Sequence, residues 1–482
     1  MKKDSFIKRD LLILFFILII ALSFRVYKIS SPLADLHSWR QVDTASVARN
    51  FIRDGFNLAF PKYDDLSNIQ TGLENPKGYR FVEFPIYNAM FALTYNLIPS
   101  TPLEIHGRLV SIFFSLIIIA VLYYIVFKEQ GRIAAVIASS IYAIFPFFVF
   151  FSRVILPETT ALGFVFISIF FLYLWKDSKN IKKWLFFSLS LIFFSISILV
   201  KPFAIFYGTA LLSLFLMRYN LTIIKKVDFY IYFILSIIPF ILWRMHMSQF
   251  PEGIPASEWL ITTVNTSEGL KNILFRPAFF RWIFFERINN LILGGFLTGF
   301  FIIGLIKKRT SIFLYSIGLS ALLFLFVFQG GNVQHEYYQT LILPAIAIFT
   351  ALGTVFIVKN KKIFIHPLFT YPIIICIFAF SFFFSYYKVK DFYNYPSELT
   401  QMAKIISSLT NKEDKIVTDR MGDTTFLYLI DRKGAPAVFK SLDELKKDGY
   451  SYFVTMNKQV IDENKEVYEI VFENDKFALF KL

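Results

Sequence analysis

Residues 109–127 read LVSIFFSLIIIAVLYYIVF, flanked by Arg108 on one side and by Lys128 and Glu129 on the other. At 1.5 Å per helical residue, an uncharged run of this length crosses the roughly 30 Å hydrocarbon core of a bilayer. Comparable runs extend over Leu11–Tyr27, Gly107–Phe127, Ile133–Phe151, Leu156–Trp175, Leu185–Leu199, Phe203–Met217, Phe229–Met245, Ile288–Ile306, Ile312–Phe328, Leu341–Val358 and Ile363–Tyr386. The sequence therefore predicts a polytopic α-helical membrane protein with about eleven transmembrane helices. The first run is followed by no small-residue cleavage site, so it reads as a retained anchor and not as a signal peptide.

Composition agrees with this reading. Of 482 residues, 56% are hydrophobic and 18% charged, with a mean hydropathy of +0.56. These values exclude a soluble enzyme and a disordered chain. Cys376 is the only cysteine, which excludes intramolecular disulfides and cysteine-based zinc or iron–sulfur centres.

The net charge of +15 raises the question of a nucleic-acid partner. Residues 388–482 carry about as many acidic as basic groups, so the excess belongs to the apolar part of the chain. There it clusters in short loops: Lys2, Lys3, Lys8 and Arg9; Lys176, Lys179, Lys182 and Lys183; Lys225 and Lys226; Lys307, Lys308 and Arg309; Lys359, Lys361 and Lys362. Charges that bracket spans are the positive-inside signal, which predicts that these loops face the cytoplasm. They form no continuous basic stripe of the kind a nucleic acid needs.

Alternation of sides then places residues 28–106, Ser152–Pro157, residues 246–287 and Gln329–Gln339 outside. Within the first of these, Phe84–Leu93 is apolar but too short to cross, and so is expected to lie flat at the interface. From about Lys388 the pattern changes to balanced charge. Pro396–Leu409 and Ser441–Lys447 read as helices, and Lys415–Thr418, Tyr452–Thr455, Val467–Phe472 and Phe477–Leu482 as strands. The expected organisation is a transmembrane domain, 1–387, and a small extracytoplasmic α/β domain, 388–482.

The residues with the most chemical content follow the first span, in Asp35-Leu36-His37-Ser38-Trp39-Arg40-Gln41-Val42-Asp43. Ser38 with Gln41 three positions later has capping-box spacing, and Val42, Ala45, Ala48 and Ile52 recur at helical intervals. A helix is thus expected to start near Ser38. Its N-terminus with Arg40 in the first turn would attract a phosphate, with Asp35 and His37 just before it and Asp43 one turn inside. The plain alternative is an amphipathic surface helix with solvated charges. Glu83, Arg153, Glu158, Lys201, His335, Glu336, Tyr337 and Tyr338 lie at the outer ends of spans. Singly each reads as an interfacial anchor, but together they gather on one predicted face of the membrane. An enzyme on that face needs a donor that arrives in the lipid. Displacing a lipid phosphate from a sugar needs cations for the leaving group and one ionised carboxylate to take the acceptor's proton.

This layout resembles the GT-C superfamily of polyprenyl-phosphate-sugar glycosyltransferases, in particular the lipid A aminoarabinose transferase and protein O-mannosyltransferase branch, over roughly residues 8–386. The residues that carry the resemblance are the acidic segment after the first span, Ala45–Phe51 behind it, Glu83-Phe84-Pro85, Arg108-Leu109-Val110-Ser111, Arg153 with Glu158, and Tyr337-Tyr338 with Pro344. It departs from the aminoarabinose transferases at Arg40-Gln41, where they carry an Asp-Glu pair, and at Phe84, where they carry a lysine. The resemblance implies a GT-C fold with interfacial helices in the first outside loop, and a carboxylate base in that loop. Asp35 is preferred over Asp43 because it precedes the helix N-terminus. Glu83 and Asp35 are the residues that would hold a divalent metal.

The expected protein is thus a multi-pass enzyme of the plasma (inner) membrane. It would move a sugar, with inversion, from a polyprenyl-phosphate donor to an extracytoplasmic acceptor that is lipid, glycan or protein. Asp35 or Asp43 would serve as base; Arg40, Arg153 and Lys201 would hold phosphate; His37, Glu83, Glu158, His335, Tyr337 and Tyr338 would complete the substrate-binding set. The rival readings are a transporter or flippase for lipid-linked sugars, and a glycan polymerase or ligase using a pyrophosphate-linked donor. Paired inverted halves and midplane charges, the marks of a carrier, are not evident in the sequence.

Overall fold

The computed structural model describes residues 6–256, 277–307, 311–360 and 366–482. The basic residues Lys2, Lys3, Lys308, Arg309, Lys361 and Lys362 lie outside the described residues. The chain divides into two compact units, one of Met1–Ile29, Arg108–Leu242 and Ser257–Phe392, the other of Ser30–Gly107, Trp243–Ala256 and Tyr393–Leu482. The units cut across the boundary expected near residue 387, because the first loop joins the C-terminal α/β fold.

The first unit is helical. Seven helices among the described residues are long and apolar enough to cross a membrane, by length and composition, and Arg132–Ile144 and Ile312–Val327 are shorter apolar helices. Several of the apolar runs read from the sequence are interrupted. Ile133–Phe151 splits at Phe145, because Pro146 offers no N–H and holds its predecessor extended, at φ −65° and ψ 135°. The carbonyl of Tyr142 would otherwise pair with the amide of residue 146. Arg25, fully buried in helix Lys8–Arg25, takes that place, donating to the carbonyls of Tyr142 at 2.9 Å and Ala143 at 2.8 Å and to Ser152 Oγ at 2.8 Å. Ile288–Ile306 is likewise divided: a π-helix over Arg281–Ile292 precedes Gly294 and Gly295, both at positive φ, and helix Thr298–Ile306 follows. Phe203–Met217 enters through a 3₁₀ turn, Pro202–Tyr207, before helix Gly208–Tyr219. With little hydrophobic drive between helices in lipid, small residues and hydroxyls make the contacts. Gly304 and Gly353 meet so closely that a Cβ on either would lie 1.8 Å from a carbonyl oxygen of the other helix. Thr209 and Ser213 pair with Ser320 and Ser316 at 2.7 and 2.8 Å.

The second unit holds a five-stranded sheet in the order β2-β1-β3-β5-β4: β1 Lys415–Thr418, β2 Gly434–Ala435, β3 Tyr450–Thr455, β4 Glu469–Glu473 and β5 Ala478–Lys481. β1 is parallel to β2 and β3, and β5 runs antiparallel to β3 and β4. One face packs Ile416, Val454 and Leu479 against helix Ser397–Leu409 and the helix Thr425–Ile430. The helices and strands expected here form, within a few residues at their ends. Helix Leu442–Lys447 is capped by Ser441 in the capping box that Ser441 and Glu444 encode. The edge of β2 is covered by the first loop. Leu66 donates to Gly434 O at 2.7 Å, and Gly434 donates to Asp64 O at 2.9 Å. The short apolar segment at Phe84–Leu93 forms helix Ile86–Leu97, which at 12 residues cannot span, and Leu93, Leu97 and Ile98 are exposed.

Candidate active site

The first loop of the second unit carries its chemistry on helix Ser38–Asp54. The helix starts near Ser38, as expected, but not through a Ser38–Gln41 capping box. The cap is His37, in the left-handed conformation at φ 58° and ψ 33°, and its side chain makes no capping bond. With the cap one residue earlier, Gln41 sits one position beyond the capping-box place. Its amide donates instead to Asp35 Oδ1 at 2.6 Å and to Leu36 O at 3.0 Å. Arg40 donates to both carboxylate oxygens of Glu83, at 2.8 and 2.9 Å, a two-pronged pair that ties the first turn to the loop before helix Ile86–Leu97. Asn88, on that helix, donates to the carbonyl of Thr44 at 2.7 Å.

Asp43 is 1% exposed, and both its oxygens are taken. Oδ2 accepts from Arg80 at 2.7 Å and Oδ1 accepts from the hydroxyl of Thr424 at 2.7 Å. Arg80 also bonds Gln70 and lies over the ring of Tyr63, 4.9 Å from its centroid. Beside this group Asp65, 0% exposed, accepts from the backbone and hydroxyl of Ser67 at 2.8 and 2.6 Å. Burial pushes the Asp65 carboxyl up to about 7; the Ser67 bonds pull it down without cancelling the effect, and the nearby charge of Asp43 adds to it. The phenol of Tyr63 is pushed well up, by burial first and by Asp65 second. Further along the helix, Arg49 pairs with Asp64 and Asp431 and stacks on Tyr428, whose hydroxyl donates to Glu104 at 2.8 Å.

In the first unit, Glu158, Lys201, His335, Tyr337 and Tyr338 come together. Lys201 Nζ lies 2.7 Å from Glu158 Oε1, both side chains being buried, and 5.4 Å from the centroid of the Tyr338 ring. Tyr338 packs on Tyr337 with centroids 4.5 Å apart, and the His335 ring stacks on Tyr337 at 5.2 Å. A buried ammonium against a carboxylate and an aromatic face is held by partners of opposite or quadrupolar charge. Arg153, 1% exposed, donates to the carbonyl of Lys28 at 2.9 Å, and Glu336 is paired with Arg287.

Arg80, Thr424 and Asp65 belong to this chemistry without having been singled out in the sequence. Arg80 stands in an aromatic stretch, Tyr79-Arg80-Phe81, where an isolated charge is the one available signal; Thr424 carries none. A metal finds little here. Both oxygens of Glu83 face a guanidinium, and among the described residues no three His, Cys, Asp or Glu side chains gather to hold an ion. The arrangement does not fit a divalent metal at Glu83 and Asp35, and no step below uses one.

Residues 83–243 match the family model for dolichyl-phosphate-mannose-protein mannosyltransferases. Among solved structures, ArnT from Cupriavidus metallidurans bound to undecaprenyl phosphate superposes with a TM-score of 0.66 at 13% identity, over 98% of this chain and 97% of that one. The fold is that of the GT-C glycosyltransferases. The GT-C likeness extends to the Archaeoglobus fulgidus oligosaccharyltransferase AglB in complex with an inhibitory peptide and a dolichol-phosphate, with a TM-score of 0.55 and 11% identity over 93% of this chain and 69% of that one. It extends also to the mycobacterial arabinofuranosyltransferase AftD, with a TM-score of 0.53 and 12% identity over 100% and 42%. No curated protein matches the chain.

Proposed function

We propose that this GT-C chain is an inverting glycosyltransferase that takes a sugar from a polyprenyl-phosphate carrier and passes it to an acceptor outside the cytoplasm. The observation that carries this reading is the end-to-end likeness to a protein crystallised with undecaprenyl phosphate. In this reading the enzyme is a multi-pass protein of the plasma or inner membrane, with the first loop and the C-terminal α/β fold on the outer side. The acceptor is an envelope lipid, a glycan or a protein.

Asp35 is the proposed base. Asp43, the other carboxylate of the loop, has both oxygens engaged by Arg80 and Thr424 inside the protein, so removing a proton from an acceptor would require breaking a buried pair. Asp35 stands in the irregular segment before the helix, oriented by the Gln41 amide. In the reaction the acceptor hydroxyl attacks the anomeric carbon from the face opposite the phosphate. Its proton passes to Asp35, the bond between that carbon and the phosphate oxygen breaks, and the carrier leaves as its phosphate anion. Arg40, Arg153 and Lys201 are the cations proposed for that anion. Each already has a polar partner, so binding would share or displace it. His37, Glu83, Glu158, His335, Tyr337 and Tyr338 are proposed to shape the binding surface.

The test follows sugar transfer from labelled polyprenyl-phosphate sugars in membranes holding Asp35→Asn or Glu83→Gln. Loss of a base should lower turnover about 10²-fold or more. Unimpaired transfer by Asp35→Asn would remove the base assignment. A reporter inserted near Asn57 that proved cytosolic would remove the reaction itself.

A further inference from the structure

Helix Thr425–Ile430 of the C-terminal fold begins with two adjacent threonines that grip the first loop. Thr424 Oγ1 donates to Asp43 Oδ1 at 2.7 Å and lies 3.5 Å from the carbonyl of Trp39. Thr425 Oγ1 is 2.9 Å from Ser38 Oγ. Both threonines are buried. They are themselves fixed, since Asp423 Oδ1 accepts from the Thr425 amide at 2.8 Å and the Thr424 carbonyl accepts from Tyr428 at 3.1 Å. Their partners Ser38, Trp39 and Asp43 lie in the first two turns of helix Ser38–Asp54. The same turns present Arg40 to Glu83 and Gln41 to Asp35.

The first turn has reason to need an external hold. Its cap, His37, is a non-glycine residue in left-handed conformation, a state kept only where the surroundings determine it. The His37 side chain makes no capping bond, and the amides of Ser38, Arg40 and Gln41 are held by the carbonyls of Asp35 at 2.9 Å and His37 at 3.1 and 3.2 Å. The contacts of Thr424 with Asp43 and of Thr425 with Ser38 add a hold from outside the helix on the turns that carry Gln41, whose amide bonds Asp35.

We propose that Thr424 and Thr425 are positioning residues for the catalytic loop, so that the C-terminal α/β fold is part of the catalytic machinery and not an appended module. The proposal rests on the reading of Asp35 as base. Neither threonine touches substrate. They act through the backbone of residues 38–43 and the Gln41 amide, and a displacement of the order of 1 Å at a reacting group is worth about a hundredfold in rate.

The experiment uses the full chain in nanodiscs, with Thr424→Val and Thr425→Val set against Thr424→Ser and Thr425→Ser. Two readouts are taken: hydrogen exchange of peptides covering residues 36–44, and transfer from labelled polyprenyl-phosphate sugars to membrane acceptors. The valine variants should exchange roughly tenfold faster at 36–44, with β3 and β5 unchanged, and turn over roughly ten- to a hundredfold more slowly at unaltered donor KM. The serine variants, which keep the hydroxyl, should restore both. Wild-type exchange and turnover in both valine variants would overturn the proposal. So would an equal loss of protection throughout β1–β5 in the valine and serine variants alike, which would mark the threonines as merely structural. If the wild type transfers no sugar, the reading of the reaction fails, while the exchange data, which need no substrate, still decide the grip.

Discussion

Replacing Arg80 by methionine removes the guanidinium from Asp43 and leaves an aliphatic chain of similar reach over Tyr63. The carboxylate then stays buried, with the Thr424 hydroxyl as its remaining described partner. Breaking a buried pair from one side costs about 3–5 kcal/mol, because the surviving charge is neither solvated nor compensated. Arg80 is 8% exposed, so some water can reach the gap, and the lower end, about 3 kcal/mol, is expected. The second unit comprises roughly 180 residues, a size at which 1 kcal/mol moves a transition by about 2–4 °C. Its unfolding should therefore fall by about 6–12 °C. Asp43→Asn in the Arg80→Met background removes the orphaned charge while keeping an oxygen for Thr424. That double variant should recover most of the loss, giving a coupling energy of about 2 kcal/mol or more. Hydrogen exchange resolved over residues 60–82 and 415–435 in the full-length protein reads the local opening without averaging in the membrane helices. A single variant within about 0.5 kcal/mol of wild type, or a double variant whose loss equals the sum of the singles, would refute the account of Asp43 as a buried, compensated structural charge.

Asp65 makes the second unit sensitive to pH. Its folded-state value of about 7 lies above the unfolded carboxylate value of about 3.9, so the stability it contributes is complete below about pH 4 and is lost as pH rises through 7. The three units amount to about 4 kcal/mol, of which about two, or about 3 kcal/mol, fall between pH 5 and pH 8, so denaturation at these two values should show that much more loss for wild type than for Asp65→Asn; an equal loss would exclude Asp65 as the cause. Gly304→Val or Gly353→Val would force apart two helices whose backbones touch, so protease-resistant protein recovered from membranes should fall sharply for both while Gly299→Val, which meets open space, stays near wild type. Arg25→Lys cannot serve Tyr142, Ala143 and Ser152 together and should lower thermal stability in detergent by several degrees; an unchanged midpoint would mean the broken helix at Pro146 satisfies its carbonyls by other means.

The apolar runs were legible because length alone separates a span from a core helix. Their interruptions were written in the sequence too, as Pro146 and as Gly294-Gly295, but a hydropathy window averages over a proline between phenylalanines. In the C-terminal fold, alternation marked β3 and β5 well. Helix Thr425–Ile430 was missed because TFLYLI is a short apolar run of β-favouring residues whose helical form is set by packing on Ile416 and Leu399. The start of helix Ser38–Asp54 lies near Ser38 as expected, but the cap is His37 and not the Ser38 of the expected capping box. The Asp43 partners could not be read locally, since Arg80 is 37 positions away and Thr424 is 381. No spacing rule reaches that far, and the pairing follows from the fold.

Helix Ser38–Asp54 is not the amphipathic surface helix with solvated charges that its sequence also allowed. An amphipathic surface helix would keep its charges in water at little cost, each pair contributing a fraction of a kcal/mol. Here 11 of the 17 residues are buried, Arg40, Gln41, Asp43 and Asn50 among them. Burial on that scale is tolerated only where each polar group meets a partner. The helix answers to four separate segments: Asp35 and Glu83 on its first turn, Arg80 and Thr424 on its second, Asp64 and Tyr428 on its third, and Asp431 through Arg53 at its end. Removing Glu83 or Arg80 would leave a largely buried charge, Arg40 or Asp43, short of its partner, whereas the Arg53–Asp431 pair at the end is exposed and Arg49 keeps a second carboxylate. If Asp35 is the base proposed above, that rigidity serves it, because reorganisation avoided before the reaction does not have to be supplied during it.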